Sequence, residues 1–244
     1  MKAYGRSDVG MLRQENQDAF GVCPLKGNAY LAVLCDGMGG EAGGKEAADT
    51  CVSTLLSAHN GKKIPTAEEL AMTLLSANAE ILKKRDENGY ARMGTTVVAA
   101  LATEKTLTLL WAGDSRAYLL HGEALSRLTR DHSYVQELVD GGEISAEAAR
   151  THPKRNLITR AVGASDTVTP DRLTLDWCEG DRLLLCSDGL HAMVGEKELL
   201  EILNEGHPIE RTVHELICAA NSHGGEDNIT ALLLENKKEN HPDA

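Results

Sequence analysis

The stretch LAVLCDGMGGEAGGKEA, residues 31–47, joins an apolar segment to an aspartate, a glycine-rich loop and the start of a helix. The apolar run 29–35 predicts a buried strand, and apolar positions at helical spacing predict a helix over 45–58. Asp36 stands between them, followed by five glycines within eight residues. The stretch therefore leaves two alternatives: the glycines bind a phosphate, or Asp36 carries the chemistry while the glycines clear space around it.

Beyond this stretch, short apolar strands alternate with pairs of helices. Further strands are predicted at 95–102, 106–112, 116–120, 182–187 and 229–234, a hairpin turn at 120–124, and further helices at 67–84, 196–204 and 209–221. Thr66 and Glu69 have the spacing of a capping box at the start of the second helix. The order lacks the regular βαβ alternation of a doubly wound sheet. It favours an α+β fold, a layered sandwich of antiparallel sheets with helices packed outside.

The length and composition predict one cytoplasmic domain. The chain has 244 residues, of which 42% are hydrophobic, enough to bury a substantial core. No repeat or linker interrupts 1–236, and the polar segment 237–244 is expected to be a solvated tail. The N-terminus lacks the apolar core of a signal peptide, and no run of 18 apolar residues predicts a membrane span. The six cysteines show no C-x-x-C spacing, so neither zinc nor disulfides are expected, and a monomer is the default.

The charge balance argues against a nucleic-acid partner. The formal net charge is −12, from 37 acidic and 25 basic residues, and the chain has only two Trp, five Tyr and one Phe. It therefore lacks a basic stripe and has few rings to stack on bases. An acidic protein that handles phosphate must recruit cations locally.

Aspartates recur at the ends of the predicted strands. Asp36, Asp114 and Asp188 each follow an apolar strand, and Asp227 precedes the last one. If that last strand runs antiparallel to 182–187, Asp188 and Asp227 are neighbours at one sheet edge. Clustered carboxylates repel one another unless they bind protons or cations, and all-oxygen ligation suits Mg²⁺ or Mn²⁺. The alternative is that these are ordinary turn and cap residues, as Asp beside Gly often is.

The glycine loop also matches a dinucleotide-binding pattern. Gly37, Gly39 and Ala42 fit G-x-G-x-x-A between a strand and a helix. However, Asp36 adjoins the place where a pyrophosphate would lie, and the helix leads into NGKKIPTAEEL rather than a second strand that ends in an acid. A backbone that approaches a metal closely, with the helix packed beneath it, is the preferred interpretation.

The segment RQENQD, residues 13–18, supplies two further candidates before the strand-like AFGVC. The guanidinium of Arg13 is suited to clamp a phosphoryl group through two hydrogen bonds. Asp18 is a candidate to hold metal-bound water. Taken alone, an arginine such as Arg13 is more often an ordinary surface residue than a phosphate clamp.

Eight motifs in order give the chain a family resemblance. They are RQENQD (13–18), DGMGG (36–40), MGTT (93–96), GDSRAY (113–118), LTRDHS (128–133), NLITRAVG (156–163), LLLCSDGL (183–190) and GGEDNIT (224–230). Together they resemble the metal-dependent Ser/Thr protein phosphatases of type 2C, most closely the compact bacterial members. The resemblance spans about residues 3–235 and implies a four-layer α-β-β-α sandwich of two antiparallel sheets.

The resemblance also implies a set of site residues. Asp36 would bridge two Mn²⁺ or Mg²⁺ ions, with the Gly37 carbonyl on one ion and Asp188 and Asp227 on the other. Asp18 would act on the metals through water, and Arg13 would be the phosphate clamp. A third, weaker ion would use Asp114 with Asp188, and residues 134–160 would form a mobile flap beside the cleft.

The implied activity is hydrolysis of phosphoserine and phosphothreonine in proteins, by direct attack of a metal-bridging water. The partners would be bacterial Ser/Thr kinases and their substrates. Met38 departs from many eukaryotic relatives, which have a proton-donating histidine there, and His132 is interpreted as structural. Two alternatives are a silent pseudophosphatase, which the intact aspartates argue against, and a dinucleotide-binding protein.

Overall fold

The computed structural model describes residues 1–39 and 41–237, so the predicted tail lies outside the described residues from position 238 onward. The strands are β1 (Lys2–Asp8), β2 (Asp18–Leu25), β3 (Ala29–Met38), β4 (Gly94–Thr95), β5 (Val97–Ala102), β6 (Thr106–Ala112), β7 (Arg116–His121), β8 (Ala124–Arg127), β9 (Asp171–Asp176), β10 (Arg182–Cys186) and β11 (Ile229–Glu235). The helices are α1 (Glu41–His59), α2 (Ala67–Asn88), α3 (Tyr134–Asp140), α4 (Ala146–Arg150), α5 (Asp188–His191), α6 (Glu196–Asn204) and α7 (Ile209–Ser222). None of the described helices is long and apolar enough to cross a membrane.

The strands form two sheets. One has the order β1-β11-β10-β7-β8, and the other has the order β2-β3-β5-β6-β9 with β4 paired to β3. Each pairing within these sheets is antiparallel. The predicted α+β class with antiparallel sheets is therefore confirmed, and the parallel sheet that a dinucleotide-binding fold needs does not form from these strands.

Three apolar cores separate four layers. Leu34, Trp111 and Leu185 belong to the core between the two sheets. An outer core lies between the sheet that contains β3 and helices α1 and α2. The other outer core lies between the sheet that contains β10, here called the first sheet, and helices α6 and α7. Along β3, Leu31 and Val33 face the helices, whereas Ala32 and Leu34 face the other sheet. Because both faces of the strand are buried, its sequence is a continuous apolar run. The four-layer α-β-β-α sandwich is confirmed.

The capping box predicted for the second helix is present. The Glu69 backbone N–H donates to Thr66 Oγ1 (3.1 Å), and the Thr66 backbone N–H donates to Glu69 Oε2 (2.8 Å). The helix ends at Gly89, whose φ of 69° is the left-handed conformation common at helix C-termini. These local signals explain why α2 begins where the sequence predicts it.

Several short elements were not predicted. β9 is an edge strand with the sequence DRLTLD, in which partly buried and exposed residues alternate. β1 is also an edge strand, and its residues are exposed or only partly buried. Such strands lack the apolar run that marks the central ones, and their pairing depends on neighbours distant in the sequence. The predicted strand 95–102 is divided into β4 and β5, and α1 begins at residue 41 rather than 45.

Candidate active site

The aspartates meet at one end of the two sheets. Asp18 and Asp36 are directly opposite each other in the β2–β3 pair. Asp188 follows β10 and Asp227 precedes β11, and because these strands pair antiparallel the two carboxyls are neighbours, as predicted. Asp114 follows β6 and is close enough to contribute to the electrostatic field at Asp36. Five acidic side chains from distant parts of the chain thus share one site.

The cluster resists being fully ionised. Burial, followed by the charges of Asp18 and Asp188, raises the pKa of Asp36 well above its ordinary value. Burial and the charge of Asp227 raise the pKa of Asp188 to about 6. Burial likewise raises the pKa of Asp18 to about 7, although two hydrogen bonds oppose the shift. Such a cluster needs protons or cations to offset its charge.

Asp18 is held by two hydroxyl groups from the other sheet. Its Oδ2 accepts hydrogen bonds from Ser187 Oγ (2.7 Å) and Thr230 Oγ1 (2.6 Å). Thr230 is in turn 2.7 Å from Ser7 Oγ, which accepts from Asn16 Nδ2 (2.7 Å). This chain of hydrogen bonds fixes the orientation of the Asp18 carboxylate. The motifs point to Asp18 alone; the two hydroxyls lie beside predicted ligands, and no sequence signal marks them as its partners.

Two carboxylate oxygens in the cluster have no hydrogen-bond partner among the described residues. They are Asp18 Oδ1 and Asp114 Oδ1, both buried. A buried carboxylate oxygen without a partner is costly unless a cation or a water completes it. The donor set consists of aspartate oxygens with a nearby backbone carbonyl, and it has no thiolate or imidazole. The residues therefore fit a hard divalent cation such as Mg²⁺ or Mn²⁺.

Gly37 follows Asp36 where the backbone is too crowded for a side chain. A Cβ at Gly37 would lie 2.2 Å from the Gly44 carbonyl oxygen and 2.7 Å from the Gln17 carbonyl oxygen. Gly44 is in the first turns of α1, so this helix packs directly against the strand end. The prediction that the glycines clear space for the backbone and the helix is confirmed at this position.

The MGTT motif braces Asp36 through its backbone. Thr96 Oγ1 accepts from the Asp36 N–H (2.9 Å), and the Thr96 N–H donates to the Asp36 carbonyl (2.9 Å). Thr95 Oγ1 donates to the same carbonyl (2.9 Å). Thr96 Oγ1 also lies 2.7 Å from Ser115 Oγ, beside Asp114. These hydroxyls connect two of the candidate ligands, a role that the sequence pattern does not reveal.

Asp114 is positioned through its backbone by a histidine. The Asp114 carbonyl accepts a hydrogen bond from His191 Nε2 (3.0 Å). Burial, with the nearby guanidinium of Arg116, lowers the pKa of His191 to about 3. The ring is therefore neutral and carries its proton on Nε2, which the hydrogen bond to a carbonyl requires.

Arg13 lies at the edge of the cluster. Its Nη2 donates to Asp227 Oδ2 at 2.7 Å, with side chains 54% and 33% exposed respectively. Asn228 holds the segment that contains Arg13: its Nδ2 donates to the carbonyls of Val9 (3.0 Å) and Glu15 (2.9 Å). Its Oδ1 also accepts from a backbone N–H in the same segment, at 2.9 Å. One buried amide thus anchors the loop that presents the guanidinium to solvent.

Met38 and His132 do not place a proton donor in the cluster. Met38 is the last residue of β3 and pairs with Gly94. His132 is buried, stacks on Trp111 with the rings 9° from parallel, and accepts from the Gly113 N–H through Nδ1 (3.1 Å). Its Nε2 is 3.3 Å from Asp171 Oδ2. The geometry is that of a structural histidine.

The predicted flap, residues 134–160, contains α3 and α4. It is closed at its base by a bridge between Ser133 and Ile158. Arg155 Nη2 lies 3.8 Å from Glu226 Oε2, next to Asp227. The segment therefore borders the aspartate cluster. Its predicted mobility remains an expectation.

The chain is similar to one class of enzyme over nearly its whole length. The family model described as protein phosphatase 2C matches residues 12–232. The serine/threonine phosphatase Stp of Listeria monocytogenes (serotype 4b, strain F2365) is 42% identical over 241 residues, with 96% of both chains covered.

Solved structures agree with this likeness. The serine/threonine phosphatase of Staphylococcus aureus superposes with a TM-score of 0.90 at 34% identity, and the match covers 96% of this chain and 94% of that one. The catalytic domain of the serine threonine protein phosphatase PstP, solved in complex with two manganese ions, superposes with a TM-score of 0.84 at 34% identity over 96% and 97% of the two chains.

Proposed function

The chain belongs to the protein phosphatase 2C family of metal-dependent serine/threonine phosphatases, and we propose that the aspartate cluster is its catalytic centre. In this proposal the enzyme hydrolyses phosphoserine and phosphothreonine in proteins at a pair of Mn²⁺ or Mg²⁺ ions. Ions held by these residues would supply a shared water as the nucleophile, and no covalent phosphoenzyme would be needed.

The observation that supports this proposal is the pair of buried, unpartnered oxygens on Asp18 and Asp114 within a cluster of raised pKa. We assign Asp36 and the Gly37 carbonyl to one ion, with Asp36 shared, and Asp188 and Asp227 to the other. Asp114 with Asp188 would hold a third. That a related catalytic domain was solved with two manganese ions supports the count of two.

The chain's own residues have distinct tasks. Bound divalent ions supply a water of lowered pKa and offset charge on the phosphoryl oxygens. Asp18, fixed through Oδ2, presents Oδ1 to the centre and orients water there. Arg13 binds phosphoryl oxygens from the exposed side, and its ion pair with Asp227 keeps the guanidinium directed at the cluster. Met38 cannot donate a proton, so either a metal-bound water would protonate the leaving oxygen or the reaction would proceed without a general acid.

Several wider assignments belong to the same proposal. We infer a single catalytic domain over 1–236 that acts as a monomer, with Ser/Thr kinases and their substrates as partners. The six cysteines are all free thiols, which supports a cytoplasmic location. A pseudophosphatase would have the same fold but no turnover, and the experiment below distinguishes the two.

The test is hydrolysis of an aryl phosphate and a phosphothreonine peptide with Mn²⁺, with Mg²⁺ and with EDTA. Turnover should require a divalent ion, and Asp188→Asn should abolish the metal-dependent turnover because it removes an ionised metal ligand. Asp86→Asn is the matched control, because Asp86 is an exposed residue of α2. Turnover that persists in EDTA, or in the Asp188 variant, would exclude the proposed centre; a folded protein without turnover would support the pseudophosphatase.

A further inference from the structure

A second group of possible metal ligands lies at the opposite end of the first sheet. His121, Cys178 and Asp181 each offer one ligand atom, and these atoms all lie within 4.8 Å of one another. Asp181 precedes β10 and Asp188 follows it, so the two ends are roughly 20 Å apart at about 3.3 Å per residue. This group is therefore separate from the aspartate cluster.

The three residues stand on a well-ordered framework. His121 ends β7, and the register that pairs Leu120 with Arg182 brings His121 opposite Asp181. The turn from Cys178 to Asp181 is closed by a hydrogen bond from the Asp181 N–H to the Cys178 carbonyl (3.1 Å). Just before it, Trp177 is buried and donates to the Thr103 carbonyl (2.7 Å).

Asp181 already orients the other two residues. Its side chain is 4% exposed, and Oδ1 lies 2.8 Å from His121 Nδ1. Its Oδ2 accepts from the Cys178 backbone N–H (2.7 Å). His121 is 66% exposed and Cys178 is also exposed, so solvent can deliver an ion. A buried carboxylate with an imidazole and a thiol around it is a mixed oxygen, nitrogen and sulfur ligand set.

We propose that His121, Cys178 and Asp181 form a second metal site, selective for Zn²⁺ over the hard ions of the catalytic centre. Zn²⁺ accepts sulfur, nitrogen and oxygen ligands in a tetrahedron, whereas Mg²⁺ prefers oxygen alone. Ligand atoms in a zinc tetrahedron are about 3.3 to 3.7 Å apart. The distance between His121 Nδ1 and Asp181 Oδ1 is 2.8 Å. Because the exposed His121 side chain can move, this distance can increase by about half an ångström to reach the zinc spacing.

The proton balance of binding is simple. Zn²⁺ displaces the proton of the Cys178 thiol, which goes to solvent, and His121 binds through the lone pair of Nδ1 with its ring proton on Nε2. Asp181 supplies a carboxylate oxygen, and a water takes the fourth position. The thiolate and the carboxylate together offset the two positive charges of the ion.

A comparable group, formed by the segment between α6 and α7 together with α7, is a poorer candidate. Glu205, His207 and Glu215 also have ligand atoms within 4.8 Å of one another. However, Arg211 Nε donates to Glu215 Oε1 at 2.8 Å, so a guanidinium already offsets that carboxylate. The group also lacks a thiolate. It provides a matched control for the test.

The test uses the full chain in excess Mg²⁺, which occupies the carboxylate cluster, with Zn²⁺ as the probe. Alkylation by iodoacetamide is followed at individual cysteines by peptide mass spectrometry. Zn²⁺ should slow alkylation of Cys178 at least tenfold and that of Cys218, the other exposed cysteine, less than twofold. Equal rates at Cys178 with and without Zn²⁺ would overturn the proposal.

Two variants make the assignment specific. His121→Gln leaves the reporting thiol in place and should remove the protection of Cys178, whereas Glu215→Gln should keep it. Protection that persists undiminished in His121→Gln would overturn the ligand set. With Co²⁺ as a coloured substitute, a sulfur-to-cobalt absorption band should be absent in Cys178→Ser and present in Cys218→Ser; a band that survives Cys178→Ser would equally overturn it.

Discussion

Thr230 and Asp18, 212 positions apart in the chain, are joined by a 2.6 Å hydrogen bond between Thr230 Oγ1 and Asp18 Oδ2. The bond crosses from β11 in one sheet to β2 in the other. The other oxygen, Asp18 Oδ1, is buried and has no hydrogen-bond partner among the described residues. The two sheets thus hold between them one carboxylate of the proposed catalytic centre.

We expect Thr230→Val to weaken metal activation. The substitution keeps the shape of the side chain but removes a donor that lowers the pKa of Asp18. Loss of an orienting partner typically reduces metal affinity or activity by about 10- to 100-fold. The measurement is the Mn²⁺ concentration that gives half-maximal hydrolysis. Thr174→Val is the control, because Thr174 is an exposed residue of β9 that pairs with Thr108; an unchanged activation curve in folded Thr230→Val would contradict the role.

Arg13→Ala should raise KM more than it lowers kcat. A guanidinium that contacts phosphate in the ground state contributes to substrate binding, and a charge-assisted hydrogen bond is worth about 1.5 to 3 kcal/mol, or roughly 10- to 100-fold. Arg13→Lys should have an intermediate KM, because lysine keeps the positive charge but cannot make two parallel hydrogen bonds to the phosphoryl group. Steady-state kinetics decide this. Arg172→Ala removes an exposed arginine of β9 paired with Glu68 and should change neither constant; a fall in kcat alone for Arg13→Ala would assign Arg13 to the transition state instead.

Asn228→Asp should loosen the segment that presents Arg13. The variant keeps an acceptor for the backbone N–H but loses both donors, to Val9 and to Glu15. We expect KM to rise several-fold and amide exchange to quicken over residues 9–17. The control is Asn236→Asp. Asn236 is as buried as Asn228, and the substitution removes one hydrogen bond that its Nδ2 donates at the other end of the sheets. It should lower stability without changing KM, and equal KM in the two variants would show that Asn228 does not position the segment.

The metal-free protein should lose stability as the pH rises from about 5 to about 8. In the folded state the pKa of Asp18 is about 7 and that of Asp188 about 6, above their ordinary value. At a pH between the ordinary pKa of an aspartate and these raised values, the folded state retains protons that the unfolded state has released. The free energy of unfolding therefore falls with increasing pH. Carboxyls with a lowered pKa, such as Asp131, titrate below this range. The lowered pKa of His191 adds an opposing rise in stability up to about pH 6.5, but four carboxyls of raised pKa, including Asp36 and Asp114, outweigh it.

Denaturant unfolding in EDTA at several pH values measures this effect. Saturating Mn²⁺ should remove the fall, because the cation takes the place of the protons and binds more tightly as they leave. Asp188→Asn should flatten the slope in EDTA, since one titrating group is gone. Stability that increases across this pH range in EDTA would contradict the raised pKa values.

The sequence by itself determined the features that depend on a few neighbouring residues. The apolar run before Asp36 predicts a buried strand, and Thr66 with Glu69 predicts the start of α2; both are confirmed. The ordered motifs indicate the family. These predictions succeed because periodicity, capping and turn chemistry are local, so the pattern contains the physical cause.

Only the tertiary structure decided which side chains support the predicted site. The hydroxyls on Asp18, the amide of Asn228 and the grouping of His121 with Cys178 all depend on strand register and on the packing of one sheet upon the other. In the sequence, Cys178 has no C-x-x-C partner and predicts no metal. Its neighbours come from strands paired across the fold, and such pairings are set by the burial of whole sheet faces rather than by any short pattern.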